Sequence, residues 1–227
     1  MVKSRVFRFL PFVILIGALF LSGNIHSQDA AEPGFQNKNF AGARVGFWSN
    51  TGDKKTIPSS DFSMEFSNSS IYGEFFYAHR ISPLLALELT IGIYSRGDIR
   101  YLRSADTYIG AVNIYPIFVA AKVYPLKSLD GLPFLFYLQP GVGFVYGNQN
   151  VINYDIYYDY GYDVSDSRLK FTYSLGAGID IPVASQIALT SNFRYVPVKF
   201  GKPLAEVQDY SGWTLTIGAG YIFQSRK

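Results

Sequence analysis

Residues 212–223 read GWTLTIGAGYIF, and their two faces differ in bulk as much as in polarity. In an extended chain Trp213, Leu215, Ile217, Ala219, Tyr221 and Phe223 share one face, opposite Gly212, Thr214, Thr216, Gly218 and Gly220. Residues 85–94 repeat the pattern, with Leu85, Leu87, Leu89, Ile91 and Ile93 against Ala86, Glu88, Thr90, Gly92 and Tyr94. Residues 169–180 do so again, from Leu169, Phe171, Tyr173 and Leu175 against Lys170, Thr172, Ser174 and Gly176. Alternation alone does not say which face is inside. Volume does. A closed barrel of about eight strands is only just wide enough for its interior side chains. Gly, Ala, Ser and Thr fit such a bore, whereas Leu, Ile, Phe, Tyr and Trp would overfill it. The bulky face therefore points outward, against hydrocarbon.

Eight segments carry this period of two, at 40–50, 69–79, 85–96, 109–124, 134–146, 168–181, 187–197 and 212–223. Each is long enough to cross a membrane as a tilted strand, which takes about 9–11 residues. Long connections (51–68, 97–108, 147–167, 198–211) alternate with short ones (80–84, 125–133, 182–186), and Pro83, Pro125, Pro133 and Pro182 sit in or beside the short turns. The expectation is an all-β, eight-stranded antiparallel up-and-down transmembrane β-barrel whose first and last strands pair, because hydrocarbon tolerates no open sheet edge. Pro116 and Pro140 fall inside the fourth and fifth segments and are expected to mark bulges.

Composition agrees with a surface that does not face water everywhere. Charged residues make up 16% of the 227 and aromatic residues 17%, against about 25% charged in ordinary soluble domains. Residues 1–27 hold Lys3, Arg5 and Arg8 but no acid, so of the 20 basic and 17 acidic side chains, 17 of each remain beyond them. That balance gives no electrostatic reason to bind nucleic acid. The basic start, the apolar run Phe9–Leu21 and the small, polar Ser22–Ser27 match a cleavable signal peptide over 1–27, leaving 28–227 as the barrel domain. With no cysteine there is no disulfide framework and no thiolate metal site.

The stretch Thr216-Ile217-Gly218-Ala219-Gly220-Tyr221-Ile222-Phe223 is also similar, at Thr216, Gly218, Tyr221 and Phe223, to the C-terminal assembly signal of outer-membrane barrels. With the strand pattern it makes the chain resemble the small porin-like barrels of the OmpA-transmembrane, OmpX and OmpW type. The resemblance implies a place in the bacterial outer membrane, contact with its lipid including lipopolysaccharide, and recognition by the barrel-assembly machinery. The tail Gln224–Lys227 departs from relatives that stop on the aromatic residue.

The inward face carries Arg44, Glu74, Glu88, Arg96, Lys122, Lys170, Asp180 and Arg194. These could line a polar pore. In a barrel this narrow a buried ion-pair plug is preferred, because charge held away from water demands a partner. Arg44, Glu74, Glu88 and Lys122 are expected at its centre. Tyr154, Tyr157, Tyr158, Tyr160 and Tyr162, interleaved with aspartates, make the third long connection a candidate recognition surface. The aspartates do not have the spacing of an EF-hand. His79 is the single histidine beyond the leader and is read as turn or interface packing, so no catalytic residue, metal or cofactor is expected. Lys54 and Lys55 are weak candidates for lipopolysaccharide phosphates, and Asn68-Ser69-Ser70 reads as a chance sequon. The function expected is structural or surface-interacting and not enzymatic. A narrow OmpW-like channel is the alternative, and a lipid-modifying barrel enzyme is the less favoured one.

Overall fold

A computed structural model describes residues 38–52, 57–58, 62–66, 68–101, 108–125, 134–155, 160–205 and 207–224. The signal peptide at 1–27 lies outside them, as do Lys54, Lys55, Tyr157 and Tyr158. The strands are β1 (Lys38–Asn50), β2 (Ile57–Pro58), β3 (Phe62–Phe66), β4 (Ser69–Ser82), β5 (Leu85–Tyr101), β6 (Tyr108–Val123), β7 (Leu135–Asp155), β8 (Tyr160–Ala184), β9 (Ile187–Val196), β10 (Lys199–Leu204), β11 (Val207–Asp209) and β12 (Gly212–Gln224). The order β5-β4-β1-β12-β9-β8-β7-β6, with β6 paired back to β5, is a closed antiparallel ring. Closure is made by β1 and β12, which pair from Lys38 with Gln224 to Asn50 with Gly212 without a break in register. The short pair β2–β3 extends the upper part of β5, and β10–β11 form a separate hairpin.

The two faces separate by size. Ile71, Phe75 and Ile217 are 79%, 65% and 64% exposed on the outer wall, while their inward neighbours Thr214 and Thr216 are fully buried. A continuous exposed band of Val, Ile, Leu and Phe has no place in water and faces lipid. Aromatic belts border it. Phe144 packs against Phe171 and Phe193 against Trp213 toward the loop end, while Tyr77, Phe223 and Tyr221 stack near the short turns. Among the described residues no helix is long and apolar enough to cross a membrane; this chain crosses with strands.

Pro116 and Pro140 do not mark bulges. Pro116 stands opposite Val145 and Pro140 opposite Leu175 in unshifted ladders. Each proline interrupts pairing on its other side only, between Ile91–Ile117 and Tyr94–Ile114, and between Ala120–Gly141 and Val123–Leu138. The missing N–H thus removes local pairing on one side while the other holds the register. Register shifts fall instead at Arg80/Ser82, Ser95/Gly97, Ile99/Arg100 and Pro182/Ala184. The third long connection is also mostly strand: β7 and β8 stay paired up to Asp155 and Tyr160. Its Asn148, Gln149, Asn150, Asp163, Asp166 and Ser167 are polar on both faces, so no apolar alternation announces it.

Ile217 lies mid-strand on the lipid face, so Ile217→Lys is expected to destabilise the barrel by about 2–4 kcal/mol in urea titrations on lipid vesicles. An unchanged midpoint would place that face out of hydrocarbon.

Candidate functional site

Six charged side chains from six strands form one chain across the lumen. Arg194 on β9 pairs with Glu74 on β4, whose Oε1 lies 2.8 Å from Arg44 Nε on β1. Arg44 also pairs with Glu88 on β5. Lys122 Nζ on β6 then stands 3.3 Å from Glu88 Oε2 and 2.8 Å from Asp180 Oδ2 on β8. Every internal member touches two opposite charges, and three cations balance three anions. All six side chains are buried. Polar neighbours take up further valences. Tyr72 Oη donates to Glu74 Oε2 at 2.7 Å, Gln139 Nε2 to Glu88 Oε1 at 2.8 Å and Tyr124 Oη to Asp180 Oδ2 at 3.0 Å. Asn192 Nδ2 donates to Gln139 Oε1 at 2.5 Å. Lys122 Nζ sits 3.8 Å from the centre of the Tyr137 ring, and the Arg44 guanidinium 4.3 Å from that of Phe76.

Glycine makes room for the arginines. Gly218 is the register partner of Arg44 on β12, and a Cβ there would collide with Ala43 O and lie 2.8 Å from Arg44 Cγ. Gly176 faces Arg194 across the β8–β9 ladder, with Arg194 Cβ 3.2 Å from where its own Cβ would stand.

Above this layer the chain folds into its own mouth. After β9 it turns inward, and Val198, Phe200, Leu204, Ala205, Val207 and Tyr210 are buried against Trp48, Tyr72, Tyr94, Val112, Ile114 and Val145. Trp48 stacks on Tyr94 at 4.4 Å between ring centres. Hydrogen bonds fix the hairpin: Val198 N to Ser211 Oγ at 2.9 Å, Tyr210 Oη to Leu204 O at 2.6 Å and Ala205 N to Gln149 Oε1 at 2.8 Å. Ala205 turns the chain in the left-handed region, with φ 49°. The connection 198–211 is thus a cap, which the period of two did not indicate. Its signal was the apolar set Val198, Phe200, Leu204, Val207 and Tyr210 in a segment otherwise read as surface loop. Below the charges, Phe40, Phe76, Ala78, Ala188 and Ile222 close the short-turn end.

Two predicted lumen charges lie apart from the six. Arg96 is buried higher up, its guanidinium 5.9 Å from the Tyr210 ring centre. Lys170 is exposed and is no part of the lumen. It has inward parity, but β9 begins its pairing with β8 only at Leu175–Tyr195, so position 170 has no β9 partner in the ladder. His79 lies at the short-turn end with Nδ1 3.0 Å from Asn39 Oδ1. Tyr154, Tyr160 and Tyr162 belong to the rising β7–β8 hairpin. Gly218 and Thr216 of the C-terminal signal line the lumen, and Tyr221 and Phe223 join the lower aromatic belt.

No protein-family model matches this chain, and no curated protein matches its sequence. Solved structures do match its architecture. Neisserial surface protein A aligns with a TM-score of 0.52 at 11% identity, over 83% of this chain and 97% of that one. The outer membrane protein OprG of Pseudomonas aeruginosa aligns at 0.51 and 14% identity, over 84% and 97%. The chain has the fold of the small bacterial outer-membrane β-barrels. Ail, the attachment invasion locus protein of Yersinia pestis, crystallised with the heparin analogue sucrose octasulfate, shares this barrel fold too, at 0.50 and 14% identity over 82% and 99%.

Glu88→Ala leaves Arg44 and Lys122, both buried, short of a counter-charge and should cost about 3–5 kcal/mol of unfolding free energy. Lys170→Gln, on the exposed side, should stay within about 0.5 kcal/mol of the parent. Equal effects of the two in the same urea titration would contradict the assignment of the network.

Proposed function

We propose that this protein is a closed structural barrel of the bacterial outer membrane that makes contacts outside the cell through its long loops. The alternating chain Arg194–Glu74–Arg44–Glu88–Lys122–Asp180 carries this reading, because it spans the bore and leaves none of its six side chains in water. The inward hairpin β10–β11 adds an apolar seal above it. Residues 1–27 serve as the leader and 28–227 form the mature barrel. The short turns face the periplasm and the β7–β8 hairpin faces out, so the tyrosine-rich segment it carries is the candidate contact surface. Thr216, Gly218, Tyr221 and Phe223 are the residues offered to the assembly machinery. Membrane lipid, including lipopolysaccharide, surrounds the wall.

A second reading, a narrow route for small solutes, has one observation in its favour. Where β6 and β7 lose pairing near Pro140 and Gly141, the lipid face has a groove of about 440 Å³ reached by the lumen-side residues Ala120 and Ser174.

Purified protein in planar bilayers should give no steady conductance, and a reproducible conductance level would overturn the sealed reading. Replacing 151–164 by a short Gly-containing turn should leave the barrel folded, seen as unchanged heat-dependent gel mobility. Loss of folding would mean that the hairpin is part of the scaffold and not an appended contact surface.

A further inference from the structure

The barrel wall changes partners at one seam near the loop end. β9 stops at Val196 and the chain turns inward at Pro197, while β8 continues upward past Ser174. A side-chain bond spans the gap, from Thr172 Oγ1 to the Pro197 carbonyl. What remains is an open groove of about 350 Å³ lined by Lys170, Phe171, Tyr173, Val198, Lys199 and Ser211, among others. Its wall toward the membrane is apolar, since Phe171 and Tyr173 are exposed on the lipid face. Its rim is cationic. Lys170 and Lys199 are both exposed, and among the described residues neither has a carboxylate partner. Two acids described near them are engaged elsewhere: Asp166 pairs with Arg168, and Asp209, opposite Lys199 in the β10–β11 ladder, accepts the Ser211 amide at 2.9 Å. Lys202, further along β10, adds another exposed cation.

Depth decides what such a groove meets. Phe171 belongs to the loop-end aromatic belt through Phe144, and such belts sit at the level of lipid headgroups. Lysines at that depth extend their ammonium groups toward the interface. Two exposed cations thus border a groove whose outer wall, Phe171 and Tyr173, belongs to the lipid face near the height of that belt. We propose that the β8–β9 seam is a seat for a phosphorylated, acylated lipid of the outer leaflet, lipid A of lipopolysaccharide, with Lys170 and Lys199 on a phosphate and Phe171 and Tyr173 along an acyl chain. The seat rests on the loop-end-outward orientation proposed above.

The test is native mass spectrometry of the protein purified from membranes in detergent, titrated with bisphosphorylated lipid A, its dephosphorylated form and inorganic phosphate. The parent protein should retain one lipid A, and K170Q/K199Q should bind it about tenfold more weakly or worse. Dephosphorylated lipid A should bind the parent no better than lipid A binds that variant, and F171A should weaken lipid A binding with both lysines present. Lys38→Gln, at the opposite end, should change nothing. Unchanged gel mobility shows that each variant is folded. Equal retention by parent and K170Q/K199Q, or equal binding of the dephosphorylated lipid, overturns the proposal. So does displacement of the lipid by inorganic phosphate at matching concentration. Labelling of S165C on intact cells reads the orientation separately, so its failure is distinguishable from failure of the seat.

Discussion

In hydrocarbon an unpaired backbone N–H or C=O costs several kcal/mol, and the whole molecule follows from how this chain avoids that cost. β1 and β12 are the first and last strands of the ring, and their unbroken register from Lys38–Gln224 to Asn50–Gly212 leaves neither with an open edge in the ring. Once the ring is closed with this few strands, the bore is narrow and must be filled from within. That one requirement separates the sequence into its two alphabets. Ile71, Phe75 and Ile217 go outward, and Gly218, Thr216 and Thr214 go inward.

The same narrowness explains why the charges are paired. An isolated buried charge is expensive, but a neutral alternating chain lets each internal group answer two neighbours. Arg44 reaches Glu74 and Glu88, and Lys122 reaches Glu88 and Asp180. Glycine at 218 and 176 supplies the volume that two arginines need beside the wall.

Much of this was legible in the sequence, and the failures have physical causes. Strand positions could be read wherever one face meets lipid and the other the lumen, because that contrast is what alternation records. Arg44, Glu74, Glu88, Lys122, Asp180 and Arg194 could be assigned to the bore by parity once side-chain bulk had fixed which face is inside. Their pairing could not, since it depends on the stagger between strands. Lys170 has inward parity but stands above the last paired residue of β9, a boundary that one strand's sequence does not carry. The extended parts of β7 and β8 carry polar residues at both parities and show no contrast. The inward cap was hidden for the opposite reason: Phe200, Leu204 and Tyr210 are buried by a loop folding back, with no strand period to mark it.

The closure of β1 on β12 is tested most directly by backbone hydrogen exchange of the protein in lipid vesicles. Amides of residues 41–49 and 213–222 should exchange as slowly as those in the middle of β7 and β8. Fast exchange along either segment would mean an open edge and would contradict the closed barrel.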